Sequence, residues 1–261
     1  MKIAVSGKGG TGKTTLAGIL SHFFRKDGYD VLAVDADPDA NLAAAIGVPP
    51  ALRAKIKPIS VQRRLIRQRT GANPRQFGQL FKLNPSVSDI PDDFGVCFQG
   101  IKILVMGAVQ KGGEGCACPE NVLLKSLLTE IILRRREVVV VDMEAGIEHM
   151  GRATAKSIDK MLVCVEPGSR SVETARTIIA MGKDIGIENI RIVGNRIRNK
   201  DQEIWIGERF DGDVLLGFIP YSETIQDSDI REDSLFEALD ENLSRVFRSI
   251  YRKILSTGNT S

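Results

Sequence analysis

The 261-residue sequence predicts an α/β fold: a single doubly wound, mostly parallel sheet with helices on both faces. Three observations predict it. Short β-branched runs alternate with stretches of helical periodicity along the chain. Most of these runs are continuously apolar, as strands buried on both faces are. A glycine-rich turn joins the first run to the first helical stretch.

Strands are expected at Lys2–Ser6, Asp30–Asp35, Ile101–Met106, Val138–Asp142, Met161–Val165, Ile190–Gly194 and Val214–Ile219. In the first helix Leu16, Ile19, Leu20, Phe23 and Phe24 recur at helical spacing, and Gly28 sits where a C-cap belongs. His22, on that helix, reads as a surface residue. Further helices fit Glu120–Arg135, Ser171–Ile185 and Leu235–Leu255. Residues 47–100 break the alternation. They read as an insertion with a basic helix near Val61–Arg69, inside one domain spanning 1–261.

Apolar residues make up 43% and charged residues 26%, which predicts a packed core rather than disorder. The net charge of +3 excludes a strongly basic nucleic-acid binder on bulk charge alone. No apolar run approaches the roughly 20 residues of a membrane span. Met1 and Lys2 lead straight into an apolar run and a glycine-rich turn, so no signal peptide is expected. Four cysteines are too few for a disulfide framework, and a cytoplasmic setting is expected.

Charge is unevenly placed. Between Ala40 and Ser88 there are nine basic residues and no acid, so the rest of the chain is net acidic. The tract reads either as a solvated face or as a docking surface for an acidic protein or nucleotide phosphates. No aromatic precedes Phe77 in it, so a single-stranded nucleic acid lacks a stacking platform.

Gly7-Lys8-Gly9-Gly10-Thr11-Gly12-Lys13-Thr14-Thr15 matches G-x-x-x-x-G-K-[ST] between a strand and a helix. Backbone N–H groups of Gly9, Gly10, Thr11, Gly12, Lys13, Thr14 and Thr15 are expected to curl around phosphate oxygens at the helix N-terminus. Lys13 would neutralise the β- and γ-phosphates, and the Thr14 hydroxyl would ligate Mg²⁺. A rival reading, Gly7-x-Gly9-x-x-Gly12 with Asp35 further on, is a dinucleotide fingerprint. It leaves Lys13 and Thr14 without a role.

Lys8 makes this a deviant phosphate loop with a second lysine. It resembles the subclass of P-loop ATPases that includes the nitrogenase iron protein, the ParA/MinD ATPases and metal-insertion ATPases. The resemblance implies a two-fold homodimer with ATP or ADP at its interface and Lys8 reaching the partner's nucleotide. It further implies that Asp37 positions the attacking water or the Mg²⁺ shell. Asp142, ending an apolar strand, reads as the carboxylate that holds Mg²⁺ through water. Met143-Glu144-Ala145-Gly146 resembles the second switch segment, which senses the γ-phosphate. Asn195-Arg196 and the turn Ile219-Pro220-Tyr221 fall where this subclass binds adenine.

Gly115-Cys116-Ala117-Cys118-Pro119 carries a C-x-C pair ahead of a helix that Pro119 can open. Cys116 and Cys118 can present two thiolates from one loop, half of a tetrahedral or square-planar site for Zn²⁺ or Ni²⁺. A two-fold dimer would supply the other half. Cys97 and Cys164 read as bland, with Cys164 inside a core strand.

The flanks Glu-Gly-Cys-Ala-Cys-Pro-Glu-Asn, together with Arg69-Thr70-Gly71-Ala72, Phe81-Lys82-Leu83-Asn84-Pro85 and Asp89-Ile90-Pro91, resemble the CooC-type accessory ATPases. That family helps insert nickel into carbon monoxide dehydrogenase. The resemblance implies an Mg-ATP-dependent metallochaperone with carbon monoxide dehydrogenase as acceptor, and neither nucleic acid nor membrane as partner. The nitrogenase iron protein has one cluster cysteine matching Cys116, but this sequence has His149 near where the second belongs. That departure argues against the same cluster design, and His149 reads as an ordinary switch-region helix histidine or as a metal ligand.

Two other readings stand beside it. One is a partitioning or positioning ATPase on DNA or membrane, using the basic insertion and the amphipathic C-terminal helix. The other is an electron-transfer ATPase whose cluster bridges a dimer through Cys116 and Cys118.

Overall fold

The computed structural model describes residues 1–73, 79–107, 119–135, 137–144, 155–231 and 234–256. Its eight strands are β1 (Lys2–Gly7), β2 (Val31–Ala36), β3 (Val96–Phe98), β4 (Ile101–Val105), β5 (Val138–Met143), β6 (Lys160–Val165), β7 (Ile190–Ile197) and β8 (Leu215–Pro220). They form one sheet in the order β3-β4-β2-β5-β1-β6-β7-β8. Every neighbouring pair is parallel except β3 and β4.

Each expected strand is present. The eighth, β3, escapes a periodicity argument because it has only three residues. It is joined to β4 by a two-residue turn, Gln99-Gly100, with φ of 46° and 78°. Positive φ at both positions is the turn geometry that matches strand twist in a tight hairpin.

Both faces of the sheet are covered, which is why the strands read as continuous apolar runs. Ile3 and Val5 of β1 face a layer made of α1 (Lys13–Lys26) and the C-terminal helix Glu241–Ser256. Ala4, between them, faces the opposite layer, which includes the helices Arg63–Thr70, Pro119–Arg134 and Ser169–Ile185. Helix α1 ends with Gly28 at a φ of 87°, and the Tyr29 N–H reaches back to the Phe24 carbonyl at 3.1 Å. That is the glycine-capped stop the sequence predicts.

Two expectations are corrected. His22 is buried, not on the surface. Its Nε2 lies 2.8 Å from the Ile46 carbonyl, and its ring stacks on Phe236 with centroids 4.7 Å apart. Burial holds its pKa below the ordinary histidine value. The last helix begins at Glu241 rather than Leu235. The Asp240 carboxylate accepts the Leu243 N–H at 2.7 Å, so the chain enters the helix there. The preceding Leu235 is buried, while Phe236 packs against the layer that holds α1.

The amphipathic face of that helix lies inside the fold. Leu243, Phe247, Ile250, Tyr251 and Ile254 are buried, and the Tyr251 hydroxyl donates to Asp27 at 2.7 Å. Among the described residues no helix is long and apolar enough to cross a membrane.

Candidate functional site

The carboxyl end of β1 lies between β5 and β6, and the phosphate loop leaves from it. Gly7 has a φ of 147°, and a Cβ there would stand 2.6 Å from the Cys164 carbonyl oxygen of β6. The loop folds on itself: the Thr11 hydroxyl donates to the Lys8 carbonyl at 2.7 Å, and the Thr11 N–H donates to the same oxygen at 3.2 Å. Gly10 and Gly12 take φ of 82° and 87°. A Cβ on Gly9 or Gly10 would meet nothing, so the outer rim is open. A Cβ on Gly12 would lie 2.1 Å from the Asn195 amide nitrogen, which itself donates to the Thr11 carbonyl at 2.7 Å. The loop is thus clamped by β6 below and by Asn195 of β7 at its side.

Lys13, Thr14 and Thr15 form the first turn of α1. Lys13 is buried, with its ammonium 3.6 Å from an Asp37 carboxylate oxygen. Lys8 is half-buried at the lip of the loop.

Two carboxylates sit under this turn. Asp142, near the end of β5, has 0% exposure, and neither carboxylate oxygen has a hydrogen-bond partner. Burial pushes its pKa up to about 6, while the nearby Thr14 hydroxyl and Lys13 ammonium pull it down. A buried, unpartnered carboxylate is costly unless something cationic completes it. With the Thr14 hydroxyl and a phosphate loop beside it, an oxygen-loving divalent cation such as Mg²⁺ fits this donor set.

Asp35, ending β2 opposite Asp142, is the residue the sequence reading did not assign to this site. It accepts the Leu42 N–H at 2.8 Å and the Asp37 N–H at 3.3 Å, so it shapes the turn that carries Asp37. Burial pushes its pKa up to about 7. The signal for it was available: an acid at the end of a fully apolar strand, two positions before the assigned aspartate.

On the far side, Gly12, Thr15, Asn195, Arg196, Pro220, Tyr221, Ile225 and Gln226 line one cleft. Register shifts in the β7–β8 pairing, between Gly194 and Ile197, bring Asn195 and Arg196 out of the regular ladder. Arg196 takes a φ of 58°, its N–H donates to the Asn195 side chain at 2.8 Å, and its guanidinium lies 3.7 Å from Glu166. The Tyr221 hydroxyl donates to Gln226 at 2.7 Å, and Arg198 lies over its ring at 3.7 Å. The cleft continues directly from the phosphate loop and has the mixed apolar and amide lining that a purine needs. Tyr221 belongs to the turn expected here, whereas Ile225 and Gln226 were outside the expected set because they come from the helix after β8.

The structure therefore brings together Lys8, Lys13, Thr14, Asp37 and Asp142 on the phosphate side, and Asn195, Arg196 and Pro220 on the cleft side. Glu144 is tied to β1 through its carbonyl, which accepts the Ser6 hydroxyl at 3.1 Å. Ala145, Gly146, His149, Cys116 and Cys118 lie outside the described residues. Cys164 is buried, and burial pushes its thiol up to about 12, which makes it inert. Cys97 is exposed on β3.

The family model described as the CobQ/CobB/MinD/ParA nucleotide binding domain matches residues 2–235. The carbon monoxide dehydrogenase accessory protein CooC of Rhodospirillum rubrum is 47% identical, over 88% of this chain and 87% of its own. The ATP-binding protein MJ0823 of Methanocaldococcus jannaschii is 42% identical over the whole of both chains. In fold, the septum site-determining protein MinD of Pyrococcus horikoshii, solved with Mg-ADP, superposes with a TM-score of 0.68 at 20% identity. That match covers 99% of this chain and 96% of the other.

Proposed function

The chain belongs to the CobQ/CobB/MinD/ParA nucleotide-binding family and is a CooC-type P-loop ATPase within it, and on that premise we propose a nickel-delivering metallochaperone. In this reading ATP hydrolysis serves the maturation of carbon monoxide dehydrogenase, the enzyme named for its 47%-identical relative.

The observation that supports the nucleotide half most strongly is the unpartnered Asp142 carboxylate beside Lys13. Mg²⁺ held by the Thr14 hydroxyl and the Asp142 carboxylate would supply charge neutralisation at the phosphates. The chain's own groups do the rest. Loop N–H groups of Gly9 to Thr15 hold the phosphates, and Lys13 carries a positive charge to the transferred group. Thr14 offers its hydroxyl and Asp142 its carboxylate to the metal. Asp37, carried on the turn that Asp35 holds, positions water for attack. Asn195, Arg196 and Pro220 hold the adenine.

The metal half rests on the C-x-C pair and the flanks it shares with CooC-type proteins. Two chains related by a two-fold axis would place Cys116 and Cys118 of each around one Ni²⁺ or Zn²⁺ as cargo. Lys8 would close each nucleotide site from the neighbouring chain. ATP then favours the closed dimer, and hydrolysis loosens it, because a ligand shifts a two-state equilibrium by its differential affinity.

The test is nickel-dependent activation of apo carbon monoxide dehydrogenase. The protein with ATP and Ni²⁺ is expected to accelerate activation. Cys116→Ser/Cys118→Ser protein, with its ATPase intact, is expected not to. Equal activation by both would remove the thiolate mechanism.

A further inference from the structure

Helix Arg63–Thr70 buries Leu65, Ile66 and Thr70 and turns Arg63, Arg64 and Arg67 outward. Apolar side chains flank this basic face at both ends. Val61, 60% exposed, precedes it. At its far end the Lys82 N–H donates to the Thr70 carbonyl at 2.8 Å, which sets Leu83 (65% exposed) beside the helix terminus, with Leu80 (97%) on the same segment. Exposed charge alone is what any solvated helix shows. Val61 at one end of that face, and Leu80 and Leu83 at the other, are different, because a monomer gains nothing from leaving them in water.

The surface also has a definite place in the fold. The Ser60 N–H donates to the Met106 carbonyl at 3.0 Å, and a Cβ on Gly107 would lie 2.4 Å from the Ser60 hydroxyl. Met106-Gly107 is where the chain departs toward the cysteine pair. The helix Pro119–Arg134, where it returns, shares the buried cluster that receives Leu65 and Ile66. The basic insertion is thus packed against both ends of the segment that contains the C-x-C motif.

We propose that the basic face of Arg63, Arg64 and Arg67, with Val61 at one end and Leu80, Lys82 and Leu83 at the other, forms the docking surface for an acidic face of the acceptor protein that also offers apolar contacts. The inference rests on the metallochaperone reading and adds the surface that reading lacks. Charge complementarity selects the occupant. The nine cations of the tract have no acid among them, whereas the rest of the chain is net acidic and would repel an acidic partner elsewhere. The exposed apolar side chains at both ends argue for a protein face over nucleic acid, whose contacts are dominated by phosphates.

The experiment uses the full chain and apo carbon monoxide dehydrogenase in a binding assay at low and moderate salt. Wild type is expected to bind with salt-sensitive affinity. Arg63→Glu/Arg67→Glu and, separately, Leu80→Ser/Leu83→Ser are each expected to weaken binding at least tenfold. Both should keep wild-type ATPase rate and bound-metal content, which shows them folded. Two alternative occupants are tested on the same samples, with linear duplex DNA and with the ATP-dependent solution mass. Unchanged acceptor binding by both variants overturns this surface while sparing the metallochaperone reading. Loss of DNA binding or of dimerisation, with acceptor binding intact, also overturns it. Wild-type protein that fails to bind the acceptor at all overturns the metallochaperone reading and the surface with it.

Discussion

Asp35 and Asp142 are register partners on the adjacent parallel strands β2 and β5, and both side chains have 0% exposure. Desolvation is the main obstacle to ionising either carboxyl; the Asp142 charge further raises Asp35, and the Asp37 charge further raises Asp142. Their pKa values rise from 3.8 to about 7 for Asp35 and about 6 for Asp142. A raised carboxyl binds its proton more tightly in the folded state. The stability this contributes is complete below the unfolded value and is lost as pH rises through the folded one. For this pair the loss runs from about pH 4 to about pH 7.

The first prediction is that Asp142→Asn stabilises the nucleotide-free protein at pH 8. The shift from 3.8 to about 6 corresponds to roughly 2–3 kcal/mol. The same change removes a group that holds Mg²⁺, so Mg-dependent ATPase activity falls by about 10–100-fold. Thermal melts at pH 5 and pH 8, with and without Mg-ADP, check both. Wild type is expected to gain more from Mg-ADP at pH 8, and Asp142→Asn to show little pH dependence of that gain. A variant less stable than wild type at pH 8 contradicts the assignment.

Much of this site was legible from residue order, because its chemistry is carried by consecutive residues. The phosphate loop and Asp37 follow strands whose apolar runs mark them, and Asp142 stands near the end of another. What was not legible came from distant pairings. Asn195 was expected near the adenine, but not as the clamp on the phosphate loop; its amide meets the Thr11 carbonyl where the β7–β8 register shifts. His22 looks exposed because its helix neighbours do not predict that Phe236, more than 200 positions away, will cover it. Strand β3 is too short to carry a period. The Asp240 cap was readable, since an aspartate before a helical pattern is a start signal, but the longer apolar pattern masked it.

A second prediction concerns the clamp on the phosphate loop. Gly12→Ala places a methyl 2.1 Å from the Asn195 amide and requires a left-handed residue with a side chain. The expected cost is about 1–3 kcal/mol, with a matching loss of nucleotide affinity. Asn195→Ala alone costs less, by leaving the Thr11 carbonyl unpaired. Because the two changes share one contact, the double variant is expected to be less damaged than the sum of the singles. Simple additivity in melts and ADP titrations would mean the clamp is not formed.

The cap on the last helix gives a third prediction. Asp240→Ala removes the acceptor for the Leu243 N–H, worth about 1 kcal/mol. For a chain of this length the Tm is expected to drop by about 2–4 °C, with ATPase activity unchanged. Asp240→Asn or Asp240→Ser is expected to recover most of it. A melt that cannot distinguish alanine from serine places the helix start elsewhere.

The two lysines of the phosphate loop are expected to separate. Lys13 is buried and points at the Asp37 carboxylate, whereas Lys8 is half-buried at the rim. Lys13→Ala is expected to lose ATP binding within the single chain. Lys8→Ala is expected to bind ADP within a few-fold of wild type but to lose both the ATP-dependent increase in solution mass and hydrolysis. Equal ADP affinity losses in the two variants would deny Lys8 a role across an interface.

The most direct test of the central proposal is solution mass and bound metal measured on one anaerobic sample. Ni²⁺ or Zn²⁺ is supplied with no nucleotide, ADP or ATP. The account predicts a dimer with about one metal per two chains. ATP should strengthen the binding, and replacing Cys116 and Cys118 with serine should abolish it. A protein that dimerises with ATP but holds no metal, or whose metal survives the loss of both thiols, would contradict it.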